Sequence, residues 1–240
     1  MTVLVFLCES SRILPAGKGL LAQLTTSTPE RSVDDRQLFD SLSVVKAIAP
    51  FHQKGKASFY ATQFHGRSTA NGESFDMDGF TAAHRSLPFG SIVRVSNPEN
   101  NTAIIVMVND RGPFVGARVI DMARGAARCI DVSLQKVNLE AFKPKDFEAD
   151  DSYIGFLGTS YEPCRIQVGA LKVSDTIECF SEAVRKHRIL AAKNPQTDVF
   201  LIVSKIPSSS GHDADQKVAY LIATRKDAAN SFDTASLLTE

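Results

Sequence analysis

"AIIVMVNDRGPFVGARVIDMARGAA", residues 103–127, decides the fold. An apolar, β-branched run from Ala103 to Val108 ends in the polar trio Asn109-Asp110-Arg111, and Gly112-Pro113 turns the chain before a second short run, "RVIDMA". Short β-branched runs bounded by Gly, Asn and Pro are strand signals, and the alanines of "ARGAARCIDVS" (123–133) read as a short helix. Working outward, "GKASFYA" (55–61) and "SIVRVSN" (91–97) carry the same texture. Residues 53–135 therefore read as an all-β unit, a compact barrel with long functional loops.

Around that unit the texture changes. Residues 1–52 read as an N-terminal extension, in which "SVDDRQLFDSLSVVKAIA" (32–49) spaces Val33, Leu38, Leu42, Val45 and Ile48 as a short amphipathic helix behind a Ser32 to Asp35 capping signal. Residues 136–162 mix charges without a sustained period and read as a linker. In 163–240, "CRIQVGAL" (164–171) and "DVFLIVSKI" (198–206) read as strands, while "SDTIECFSEAVRKH" (174–187) and "DADQKVAYLIATRKD" (213–227) read as helices. That β-α-β-α order predicts a small α+β domain, and the fold class is mainly β plus α+β.

Composition narrows the partners. Lys plus Arg and Asp plus Glu both number 27 in 240 residues, so no charge excess points to nucleic acid. No apolar run approaches the roughly 20 residues a membrane-spanning helix needs. The start, "MTVLVFLCESS", has an apolar run from Val3 to Leu7 before Cys8 in the manner of a lipoprotein signal. It lacks a basic leading segment and has Leu7 where a small residue belongs, so it reads either as a truncated or atypical export signal with a lipid anchor at Cys8 or as an ordinary buried segment. Cys129, Cys164 and Cys179 show no metal-ligand spacing, and Cys164 with Cys179 is the one pairing geometry might allow.

The chemistry gathers in "TANGESFDMDGFTAAHRSLPFG", residues 69–90, and in the Asp110 strand end. Cleaving a glycosidic bond needs a carboxylic acid to protonate the departing oxygen and a group to serve the attacking side, and Glu73, Asp76, His84 and Asp110 supply candidates for both. Turn signals at Asn71-Gly72 and Pro88-Phe89-Gly90 fold the loop back, and Asp110, closing an apolar strand, faces the barrel mouth. Asp76 and Asp78 also suit ordinary turns, His84 also suits a hydrogen-bonded structural histidine, and Asp121 suits a helix N-cap. Tyr60 and Phe64 are candidates to stack on sugar rings or to fill the core. Asn109 and Arg111 flank Asp110 as substrate contacts, with Arg111 also suited to an ion pair that orients the site.

The run "GKASFYATQFHGRSTANGESFDMDGFTAAHRSLPFGSIVRVSN" followed by "VMVNDRGPFVGARVIDMARGAA" closely resembles the rare lipoprotein A family of bacterial septal lytic transglycosylases. The resemblance implies a double-psi β-barrel that cleaves peptidoglycan glycan strands between N-acetylmuramic acid and N-acetylglucosamine, leaving 1,6-anhydro ends, with no metal or organic cofactor. It marks Glu73, Asp76 and His84 of "GESFDMDGFTAAH" and Asp110 of "NDRGP" as the positions tied to activity, with Asp110 the first candidate for general acid and Glu73 the second. The family's usual "SWYG" is "SFYA" here, with Phe59 for Trp and Ala61 for Gly. "RIQVGALKVSDTIECFSEAVRKH" resembles the start of a SPOR domain, a module for glycan strands stripped of stem peptides, and puts Gln167 on a glycan-binding strand; in the later half only Pro207 matches. Together these imply a monomer of the bacterial cell envelope. The rival readings are an expansin-like glycan binder with a vestigial site and a septal scaffold.

Overall fold

The computed structural model describes residues 45–46, 49, 51–132, 135–147, 152–167, 171–206 and 217–225. Expectations for Cys8, for the helix at 32–44 and for Pro207 lie outside them. Strands β2 (Phe51–Phe59), β3 (Thr81–Ala83), β4 (Ile92–Asn97), β5 (Thr102–Asp110), β6 (Arg118–Met122) and β7 (Lys136–Phe142) close a six-stranded barrel in the order β2-β6-β3-β5-β4-β7. The direction is mixed: β2 runs parallel to β6 and β3 parallel to β5, whereas β3 and β6 are antiparallel. Helix α1 (Arg124–Cys129) follows β6, as its alanines suggested, and buries Ala126 and Ala127.

The linker expected over 136–162 is corrected at two strands, β8 (Ser152–Leu157) in the second sheet and β7 in the barrel, and barrel closure explains β7. Residues 136–142, assigned to a linker, form β7 and pair antiparallel with both β2 and β4. Lys136, Asn138 and Glu140 alternate with the buried Val137, Leu139 and Ala141, a period of two that the surrounding charges obscured.

The second sheet is antiparallel, in the order β1-β9-β8-β11-β12-β10: β1 (Val45–Lys46), β8 (Ser152–Leu157), β9 (Glu162–Gln167), β10 (Leu171–Ile177), β11 (Val199–Ile206) and β12 (Lys217–Arg225). Val45, assigned to the N-terminal helix, lies instead in an edge strand opposite Arg165. The expected second helix is also corrected, because residues 217–225 pair with β11 from Val199↔Thr224 to Ile206↔Lys217. "VAYLIA" is apolar on every side, and such a run suits a buried central strand as well as a helix. Between β10 and β11, α2 (Phe180–Lys193) begins six residues later than its Ser174 signal suggested, because 171–177 is taken into β10. Cys164 and Cys179 are free thiols, so the pairing considered for them is not made.

The two sheets share one apolar core. Phe80, Ile105, Val108 and Phe142 of the barrel belong to the same buried cluster as Phe156, Phe180, Val184 and Leu201 of the second unit. The Phe142 and Phe156 rings meet edge to face at 5.7 Å, a contact that adds to the roughly 1.5–3 kcal/mol each ring gains by burial. Arg94 of β4 ties the seam from the polar side, donating to Glu140 and Glu162 at 2.7 Å each and to the Ser160 carbonyl at 2.9 Å.

Candidate active site

The site is built on an irregularity of β5. Ala82 pairs with Val108, but the next residue, Ala83, pairs with Asp110, which leaves Asn109 as the extra residue of a β-bulge. A bulge bends its strand and re-aims its side chains, and here neighbouring residues both address the loop 69–73. The Asp110 carboxylate accepts from the Ala70 amide at 2.9 Å, Asn71 N–H donates to the Asn109 carbonyl at 3.2 Å, and Asn109 Nδ2 donates to Glu73 at 2.9 Å. Inside the loop, Asn71 Oδ1 accepts from the Glu73 amide and the Thr69 hydroxyl, so the Asn71-Gly72 turn is fixed by its own side chains.

Asp110 is held asymmetrically. Oδ1 accepts two backbone amides, from Ala70 at 2.9 Å and Arg111 at 2.8 Å, while Oδ2 has the Tyr60 hydroxyl at 2.6 Å. Burial first, then the bond to Asp110, pushes the Tyr60 phenol far up from its ordinary value, so it stays protonated. Its ring packs between Phe64 and Phe75, at 5.8 and 4.8 Å. Tyr60 is therefore a direct partner of the carboxylate, and Phe64 supports it from behind.

A third carboxylate, Asp121, lies at the neighbouring strand end. Asp121 also pairs with Ala83, on the strand opposite β5, so Asp110 and Asp121 flank a single alanine about 10 Å apart at Cα. Ser58 Oγ donates to Asp121 at 2.6 Å and Arg118 lies 3.5 Å from its other oxygen. The cap expected of Asp121 is not made, since the N-cap of α1 is Ala123 and has no side-chain bond. The signal was present in the parallel placement of "VND" and "VID" at two strand ends, which the helix-cap reading hid.

His84 sits elsewhere. It is buried; its Nδ1 accepts from the Ser86 and Leu87 amides at 3.3 and 3.0 Å, which leaves Nε2–H to donate to Gln53 Oε1 at 2.9 Å. Burial first, then Arg111 and Arg85, lower its pKa from 6.5 to about 4, so the ring is neutral near pH 7. It fixes the turn whose carbonyls, His84 and Leu87, hold Arg111, and its own amide bonds the Asp110 carbonyl at 3.2 Å. Arg111 makes no ion pair among the described residues; it stacks on Phe89 at 3.7 Å. Asp76 closes a turn, accepting from the Asp78 amide at 3.0 Å, and shares no partner with Asp110. That turn is seated by Gly125 of α1, where any Cβ would overlap the Asp78 carbonyl. Gln167 closes β9 in the second sheet, opposite Ser152. The structure thus joins Glu73, Asn109, Asp110 and Tyr60 in one network and leaves Asp76 and His84 in supporting turns.

A family model described as "Lytic transglycolase" matches residues 52–139. Endolytic peptidoglycan transglycosylase RlpA of Neisseria meningitidis serogroup A is 54% identical over 81 residues, 34% of this chain and 34% of that protein. The probable endolytic peptidoglycan transglycosylase RlpA of Synechocystis sp. is 51% identical over 94 residues, 39% and 28% of the two chains. RlpA of Pseudomonas aeruginosa strain UCBPP-PA14 is 35% identical over 147 residues, 57% and 43%. The chain spans less than half the length of each of these relatives. Residues 52–139, with their closed mixed barrel, therefore form a double-psi β-barrel, and it is this part of the chain that is similar to the lytic transglycolase family.

Proposed function

We propose that the barrel is a peptidoglycan lytic transglycosylase and that Asp110 is its general acid. The observation that carries this reading is the asymmetric hold on Asp110. Oδ1 is tied to two amides, whereas Oδ2 faces only a phenol that can accept as well as donate. Oδ2 is therefore the oxygen suited to carry a proton, with the Tyr60 hydroxyl reversing its bond while the carboxyl keeps its place. In the reaction, Asp110 protonates the oxygen linking N-acetylmuramic acid to N-acetylglucosamine, that C–O bond breaks, and the muramic C6 hydroxyl attacks C1. The C6 proton passes to the carboxylate now left on Asp110, which restores the acid, and the product ends in a 1,6-anhydro ring. Asp121, held by Ser58 and Arg118, places a second negative charge near the cation-like transition state. Glu73 anchors the loop that supplies the Ala70 amide.

A peptidoglycan substrate places the protein's work in the bacterial envelope. Incubating the protein with purified glycan strands and analysing the products by mass spectrometry tests the reading. Anhydro-muramyl ends are expected; strands bound but recovered uncut would leave a glycan binder instead.

A further inference from the structure

We propose that Phe114 is a stacking platform for a pyranose ring of the glycan strand, a substrate-binding position beside Asp110. The inference rests on the glycan reading above and adds a contact to it. Phe114 and Val115 are the most exposed large apolar side chains among the described residues, at 78% and 73%. Adjacent in the chain, they offer apolar surface whose covering by a ligand would be favourable.

The loop that presents them is tightly held. Arg85 donates to the Pro113, Gly116 and Arg118 carbonyls, and Arg118 Nε donates to the Val115 carbonyl at 3.2 Å. Two guanidinium groups thus clamp both sides of the exposed tip, and a preorganised tip loses little freedom when it binds. Gly112, whose φ of 127° suits glycine, turns the chain beside the ring, and a Cβ there would make an ordinary contact with one ring edge at 3.7 Å. One edge of the ring therefore lies beside Gly112, two residues from Asp110, and the rest faces water.

The surroundings fit an amphipathic ring. A pyranose has a C–H face and a rim of hydroxyls. The phenyl ring covers the first, while Asp110, Asp121 and Arg118, all partly exposed, meet the second. A purely apolar partner would strip water from those charged groups without replacing its hydrogen bonds.

The chain contains no tryptophan, so Phe114→Trp installs a single emitter at the platform. In an Asp110→Asn background, which keeps strands intact, its emission should shift blue and saturate as purified glycan strands are added. In the otherwise native protein, Phe114→Ala should raise the strand concentration at half-maximal rate about 5- to 30-fold with kcat changed less than about 3-fold, and Phe114→Trp should restore it. An unmoved emission while strands co-sediment with the protein, or an unchanged half-maximal concentration in Phe114→Ala, overturns the platform and leaves the glycan reading standing. If the unmutated protein neither binds nor cuts strands, that reading fails and the platform falls with it. Should Phe114→Ala fold poorly, the tryptophan titration still decides.

Discussion

Asp110→Asn keeps the volume of the side chain and both kinds of bond around it. The amide oxygen still accepts from Ala70 and Arg111, and the NH2 can donate to the Tyr60 oxygen. What it loses is a proton acidic enough for the leaving oxygen, so anhydro-product release should fall about 100-fold or more while strand binding holds. Glu73→Gln separates the two acid candidates. Glu73 meets Asn109 rather than the Tyr60 pair, and an amide can still accept from Asn109 Nδ2, so the expected loss is about 10-fold or less. A loss in Glu73→Gln equal to that in Asp110→Asn, measured by chromatography of anhydro ends, would move the acid to Glu73. At this scale the meeting of the Asp110 strand end with the Asn71-Gly72 loop was legible. The role of His84 was not, because its partners are Gln53 and two amides of its own turn, and nothing in "TAAH" distinguishes a ring facing the protein from one facing a substrate.

Elements were legible where no second signal competed with the strand pattern, as in the largely buried β5, and illegible where one did: β10 alternates but carries the Ser174 cap signal. β7 alternates but hides among charges, and β12 is apolar throughout because the sheet and α2 enclose it. The seam between β4 and β9 offers a test of how these elements are joined. Arg94→Met removes the bonds to Glu140, Glu162 and Ser160 and leaves the largely buried Glu140 carboxylate without its cation. The expected cost is about 1–3 kcal/mol, a fall in Tm of roughly 3–10 °C, with cleavage at room temperature little changed because the site lies at the far end of β5. A melting curve equal to that of the unmutated protein would mean the seam is held by apolar packing alone.

Across the whole molecule, two neutral histidines link stability to pH. His84 in the barrel and His187 in α2 both titrate near 4 instead of 6.5, each chiefly through burial, and His187 Nε2 bonds the Val199 carbonyl at 3.1 Å. Below pH 6.5 the unfolded chain takes up protons that the folded chain refuses, so stability should fall as pH drops from about 6.5 toward 4 and level off below, by up to about 3 kcal/mol per histidine. His187→Gln should flatten the lower part of that slope in melts taken from pH 7 to pH 4, and an unchanged slope would assign it to other groups. The shared core bears on how the protein can be handled at the bench. A clone cut to the matched segment would end within β7, losing Phe142 itself, and would strip Tyr220 from Met107 and Phe156 and Phe180 from the buried cluster they share with Phe80 and Ile105. Such a fragment should collect in inclusion bodies or bind the dye ANS after refolding, whereas one carried through Arg225 should elute as a compact species. The family match marks out the barrel alone, and the unit expected to stay in solution is larger than that segment.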